Sequence, residues 1–248
     1  MRLTNAFIAM LLLFVGCLTA CDNDGSSGTT PTGQGGSMAR FTVHGNYLYT
    51  AVGEELTVVD IARRDTLDAV YTLAIPTDIE TIHAQGDYLY LGAQTGMHIY
   101  SLENPDQPTF IFKYEHIRSC DPVVVRGNRA YVTLRSGNTC GGSTNNLEVI
   151  DIGDPHRPRL LKAYPLKAPR GLAVDGYLLF VCDESLKVFD VSADAFPLLL
   201  TEVEVDRPYD VIASNGLATV TSAEGILQYR YLNGQELTRL STIAVERP

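Results

Sequence analysis

Val43-His44-Gly45-Asn46-Tyr47-Leu48-Tyr49 (VHGNYLY) is the stretch on which the fold turns, because it returns. It reads AQGDYLY at Ala84–Tyr90, VRGNRAY at Val125–Tyr131 and VDGYLLF at Val174–Phe180. A worn copy, ASNGLAT, runs from Ala213 to Thr219. The anchors Gly45, Gly86, Gly127, Gly176 and Asn215 are spaced by 41, 41, 49 and 39 residues. A fixed period of this size marks a repeat architecture, in which no single unit can bury its own apolar faces.

A second signature follows each anchor. It reads LTVVDI at Leu56–Ile61, MHIYSL at Met97–Leu102, LEVIDI at Leu147–Ile152 and LKVFDV at Leu186–Val191. The last copy is read as LQYRYL at Leu227–Leu232. Turn segments follow the second and third copies, NPDQP at Asn104–Pro108 and GDPHRP at Gly153–Pro158.

Alternation sets the local structure. In Phe41-Thr42-Val43, Ile82-His83-Ala84 and Leu172-Ala173-Val174 the outer two residues share one strand face. Glycine followed by Asn46, Asp87 or Asn128 suits a tight hairpin, because these residues tolerate positive φ. The next strand carries Tyr49, Tyr90, Tyr131 or Phe180. Two positions on stands a small or medium residue: Ala51, Gly92, Thr133, Cys182 or Thr221. Each unit therefore predicts four antiparallel strands. The expected fold is all-β, a β-propeller of five four-stranded blades.

The run from Met38 to the C-terminus resembles the LVIVD-repeat family of bacterial and archaeal surface proteins. The likeness rests on Leu147–Ile152 with Asp154-Pro155, and on the Gly-Asn/Asp-Tyr turns. It implies a β-propeller at the cell envelope and no shared chemistry. This chain departs from the pattern at Ser101, where other copies have Asp60, Asp151 and Asp190, and in the worn fifth repeat.

The N-terminus predicts export. Met1-Arg2 precedes a short apolar run, Ala6–Val15, too short to span a bilayer. Leu18-Thr19-Ala20-Cys21 resembles the lipobox of bacterial lipoproteins. That likeness implies a signal peptide over 1–20, cleavage before Cys21 and acylation of Cys21, with more than one chain for durable anchoring. Residues 22–37 (DNDGSSGTTPTGQGGS) hold no aliphatic or aromatic side chain, so 21–37 is expected to be a flexible tether. Its DNDG run lacks the later carboxylates of a calcium loop. Asp22 and Asp24 stand where lipoprotein sorting signals lie; the expected site is the cell envelope, at the outer membrane or cell surface.

Without residues 1–20 the chain has 18 Lys and Arg against 29 Asp and Glu, a net charge of −11. So acidic a chain is a poor partner for nucleic acid. The expected membrane contact is the lipid anchor alone, and no cofactor is expected.

The five histidines, 44, 83, 98, 116 and 156, form no metal-ligand spacing. The recurring Asp60, Asp151 and Asp190 read as strand-end residues that bond the following turn. Cys182 reads as a buried core thiol. Cys120, just before the first strand of the lengthened third repeat, and Cys140, in the insertion Ser136–Asn146 after its second strand, are expected to form a disulfide, which an exported protein permits. The residues just before each inner strand should rim a central channel. They are Ala39, Glu80, Asp121, Arg170 and Tyr209, followed by Arg40, Thr81, Pro122, Gly171 and Asp210. Because they vary while the framework repeats, Arg40, Glu80, Asp121, Arg170, Tyr209 and Asp210 are the candidate binding residues. The leading expectation is a non-enzymatic scaffold that binds a protein or glycan partner. The alternative is an envelope glycan hydrolase using Glu80 and Asp121 as a carboxylate pair.

Overall fold

Each hairpin turns where the glycine pattern puts it. In the computed structural model, which describes residues 36–62, 66–115, 122–137, 143–193 and 196–245, the anchors Gly45, Gly86, Gly127 and Gly176 all have φ between 54° and 59°. All the described residues lie in the unit Pro31–Pro248. A glycine at the first position of a two-residue loop has the φ pattern of a type II′ turn. The fifth hairpin uses another solution. Asn215 (φ 52°) and Gly216 (φ 79°) are both positive, the pattern of a type I′ Asn-Gly turn. The worn copy therefore keeps its hairpin by changing turn type.

Among the described residues, twenty strands form five sheets of four. Blade 1 holds β1 (Phe41–His44), β2 (Tyr47–Val52), β3 (Glu55–Asp60) and β4 (Asp68–Ala74). Blade 2 holds β5 (Ile79–Gln85), β6 (Tyr88–Ala93), β7 (Gly96–Ser101) and β8 (Thr109–Glu115). Blade 3 holds β9 (Val123–Arg126), β10 (Arg129–Leu134), β11 (Asn146–Asp151) and β12 (Arg159–Pro165). Blade 4 holds β13 (Leu172–Asp175), β14 (Leu178–Cys182), β15 (Leu186–Asp190) and β16 (Leu198–Val203). Blade 5 holds β17 (Asp210–Ser214), β18 (Leu217–Ser222), β19 (Gly225–Tyr231) and β20 (Leu237–Ala244). Within each sheet the strands follow chain order and pair antiparallel. The first strand of each blade packs beside the first strand of the next, from β1 through β5, β9 and β13 to β17.

The register corrects one reading of the sequence. Ala51 pairs with Leu56, Gly92 with Met97, Thr133 with Leu147 and Cys182 with Leu186. Thr221 pairs with Ile226. The fifth signature is therefore Ile226–Tyr231, one residue earlier than the alternation of LQYRYL suggested. The turn bonds agree. The amides of Ile61, Leu102, Ile152, Val191 and Tyr231 donate to the carbonyls of Asn46, Asp87, Asn128, Tyr177 and Gly216.

The strand-end carboxylates do the expected work. Asp60 accepts from the amide of Ala62 at 2.8 Å, Asp151 from Gly153 at 3.1 Å and Asp190 from Ser192 at 2.7 Å. Ser101 replaces them in kind, accepting from Glu103 at 3.1 Å. Asp151 is further held by Arg129 (2.8 Å) and Arg159 (3.0 Å).

Each blade has two apolar faces. One face of blade 4, with Leu172, Leu179 and Val181, joins a core with Tyr131 and Val149 of blade 3. Its other face, with Phe180, Cys182 and Val188, joins Val211, Val220 and Tyr229 of blade 5. The repeated aromatic always faces the following blade, as Tyr49 does between blades 1 and 2 and Tyr90 between blades 2 and 3. Four junctions carry a buried core in this way.

Among the described residues no buried cluster joins blade 5 back to blade 1. Phe41 of blade 1 is 53% exposed, whereas its counterpart Leu172 is fully buried. On blade 5, Ile212, Leu217, Ile226 and Ile243 are exposed on the face that has no following blade. There Thr219 stands where the other blades have their aromatic.

Candidate binding face at the channel mouth

The inner strands β1, β5, β9 and β13 line a central cavity of about 240 Å³ that Gly36 and Ser37 also reach. His83 faces this cavity. Burial holds its imidazole down to about 4, partly offset by a hydrogen bond to the Val125 backbone, so it is neutral at pH 7. Each inner strand runs away from residues of the 36–40 type, and each second strand runs back. The β2–β3 and β4–β5 turns, and their equivalents in later blades, therefore share the mouth face.

At the mouth the expected binding residues are engaged with one another. An Arg40 guanidinium nitrogen lies 3.0 Å from Glu80 Oε2, bridging blades 1 and 2. Arg40 is half exposed, so the pair contributes ~0–1 kcal/mol. The Arg170 guanidinium sits over the Tyr209 ring, 4.9 Å from its centroid, bridging blades 4 and 5. Burial pushes the Arg170 pKa down, and the nearby charges of Arg135 and Arg207 push it further. Three guanidiniums thus act on one side of the mouth of an acidic chain, with Arg207 also paired to Asp206 at 3.3 Å. Arg207 adds a backbone signal, since its φ of 47° is unusual for a residue other than glycine.

Asp210 has a different role from the rest. Its carboxylate accepts from the Ser37 hydroxyl at 3.1 Å and from the Ser37 and Met38 amides. The Ser37 oxygen in turn accepts from the Leu172 amide at 2.7 Å. The start of the described chain is thereby tied to blades 4 and 5. Gly36 and Gly171 permit the tie. A Cβ at either position would come within 2.0 Å of an Asp210 oxygen. Burial raises the Asp210 pKa against these bonds, which lower it.

Cys21, Cys120, Asp121 and Cys140 lie outside the described residues. The strands flanking the two third-repeat cysteines end on the mouth face, at Glu115, Val123, Leu134 and Asn146. Glu80, offered as half of a carboxylate pair with Asp121, is held by Arg40. Cys182 is fully buried, and burial raises its thiol pKa well above the usual range, which suits an inert core thiol.

Sequence reading missed Asp183. Its side chain is buried, accepts from the amides of Lys167 (3.0 Å) and Ala168 (2.6 Å), and lies 3.5 Å from Lys187. It fixes the crossover into β13 that delivers Arg170 to the mouth. Arg135 and Arg207 were also missed, because each stands outside the repeat positions compared across blades. Among the described residues no cluster of three metal-ligating side chains occurs.

The LVIVD repeat description matches residues 35–63 and 117–165. No curated protein matches the sequence. Solved structures show the fold. A periplasmic gluconolactonase of Pseudomonas aeruginosa, PpgL, is similar at a TM-score of 0.63 and 15% identity, over 81% of this chain and 68% of that one. A functionally unknown protein of Desulfotomaculum acetoxidans is similar at 0.69 and 10%, over 84% and 70%. BamB of Moraxella catarrhalis is similar at 0.56 and 12%, over 77% and 57%. At these identities the likeness concerns the fold alone. The matched segments support LVIVD repeats in this chain, and its five four-stranded sheets share the β-propeller fold of these solved structures.

Proposed function

We propose that this chain is a lipid-anchored scaffold of the cell envelope that binds a protein or glycan partner through the channel mouth. The carrying observation is the gathering of Arg170, Arg135 and Arg207 beside Tyr209 on the mouth face of a chain with a net charge of −10. Guanidiniums with an aromatic ring suit a partner that presents carboxylates and flat apolar surface. Loops on a rigid scaffold are where binding residues concentrate, and the lengthened third repeat opens on this face. A Cys120–Cys140 disulfide would pin that loop to its blade end.

The anchor is tested by feeding cells an alkyne fatty acid. Incorporation that disappears in Cys21→Ala supports it, and absence of incorporation in the parent sinks it. The mouth is tested by a photo-crosslinker at Tyr209 in cells. A discrete adduct, lost in an Arg170→Glu/Arg207→Glu variant, is expected. An equal adduct from Asp87, in the hairpin at the opposite end of blade 2, would overturn the reading. Thiol labelling without reductant tests the disulfide; ready modification of both cysteines rules it out.

A further inference from the structure

A groove of about 540 Å³ opens between the outer strands of blades 1 and 2, apart from the mouth. Tyr71 and Leu73 of β4 line one side. His98 and Tyr100 of β7, with Phe110 and Lys113 of β8, line the other. Phe110 is 57% exposed and meets the rings of both His98 and Tyr100 edge-on, with centroids 6.3 and 5.6 Å away. His98 is only 5% exposed, yet its Nε2 has no hydrogen-bond partner.

At two of the other three junctions a tyrosine, Tyr114 or Tyr164, holds the equivalent place, and at the last it is Val203. Leu73 pairs with Leu56, and at the next junction Tyr114 pairs with the equivalent Met97. His98 is likewise the counterpart of Glu148, since they pair with Leu91 and Val132. Between blades 2 and 3, then, a tyrosine ring fills the groove beside a buried carboxylate. Burial and the Glu148 charge together push the Tyr114 phenol up to about 12. Between blades 1 and 2 the ring is missing, because Leu73 supplies neither its area nor its hydroxyl. The polar group that would face it is still buried there.

We infer that this groove binds a phenolic ring, an aromatic ring carrying a hydroxyl. The ring lies against Tyr71, Tyr100 and Phe110, and the hydroxyl bonds His98 Nε2. Phe110, the exposed member, swings to admit it. Burial and the Lys113 charge hold the imidazole down to about 4, so at neutral pH it is uncharged and can donate or accept. The inference is independent of the mouth reading.

The test is titration of the full-length protein in detergent with p-cresol, observed through the His98 ring by NMR. Saturable shifts of His98 are expected, with toluene binding at least tenfold more weakly. N-acetyltyrosinamide separates the sources. Tighter binding than p-cresol assigns the ring to a partner's tyrosine, and weaker binding assigns it to a free phenol. Leu73→Tyr should fill the groove, abolish p-cresol binding and raise Tm. His98→Phe should remove the preference for p-cresol over toluene. Equal binding of toluene and p-cresol to the parent, or unchanged p-cresol binding in Leu73→Tyr, would overturn the inference.

Discussion

The Ser37 hydroxyl donates to Asp210 at 3.1 Å across 173 residues of sequence. With it, the first described residues are fastened to the last blade at the inner end of a junction that has no buried core. Closure here is polar and local, whereas the other four junctions are apolar and extensive.

Removing that fastening should loosen the end blades without dissolving the others. Asp210→Ala is expected to cost about 1.5–3 kcal/mol, the range for hydrogen bonds to a charged group. Gly171→Ala should cost at least as much, because its Cβ would overlap the same carboxylate. Urea unfolding measures both. Hydrogen exchange should rise in β1 and β17 and stay low in β10. Loss of protection spread evenly over all blades would refute the local clasp.

The aromatic position should be asymmetric along the chain. Phe180→Thr removes a fully buried ring from the junction of blades 4 and 5 and should cost about 3–5 kcal/mol. The reverse change at the equivalent place, Thr219→Phe, faces no following blade and should alter stability by less than about 1 kcal/mol. Chemical denaturation of the two variants gives the answer. A strongly stabilising Thr219→Phe would mean that blade 5 packs on something in solution.

Acid should weaken the fold through two of its histidines. His83 and His98 each fall from 6.5 to about 4 on folding, with burial the largest cause. The unfolded chain therefore binds more protons between those values, so stability rises with pH through the window and is lost on acidification. Each contributes up to about 3 kcal/mol, less for His83 because its ring is partly exposed to the channel. Tm measured from pH 7 to pH 4 should fall, and His98→Gln should flatten the slope. An unchanged slope in that variant would show that His98 does not titrate in the window.

Much of the fold was legible because its causes are local. Gly45, Gly86, Gly127 and Gly176 announce their hairpins, since the left-handed backbone there excludes most side chains. Asp60, Asp151 and Asp190 announce strand ends by the amides they satisfy. Alternation places the fifth signature one residue late because blade 5 keeps its buried apolar set at Leu227, Tyr229 and Tyr231, on the strand face opposite to that of Leu56 and Val58. Only pairing of Thr221 with Ile226 fixes it. The candidate site was less legible. Arg170 and Tyr209 were found by counting back from the anchors, but that they stack, and that Arg135 and Arg207 join them, depends on loops outside the repeat.

By itself the sequence determined how many repeats the described residues hold, where each hairpin turns and which residues are framework, because a repeated residue answers a repeated local need. Tertiary structure alone decided the rest. It showed that four junctions have cores and the fifth a clasp, that Asp210 fastens the chain rather than standing open at the mouth, and that Leu73 leaves beside His98 the space a tyrosine fills one blade later. Those facts depend on which residue of one blade meets which residue of the next, and side-chain partners across a junction are set by packing in three dimensions, not by position in the repeat.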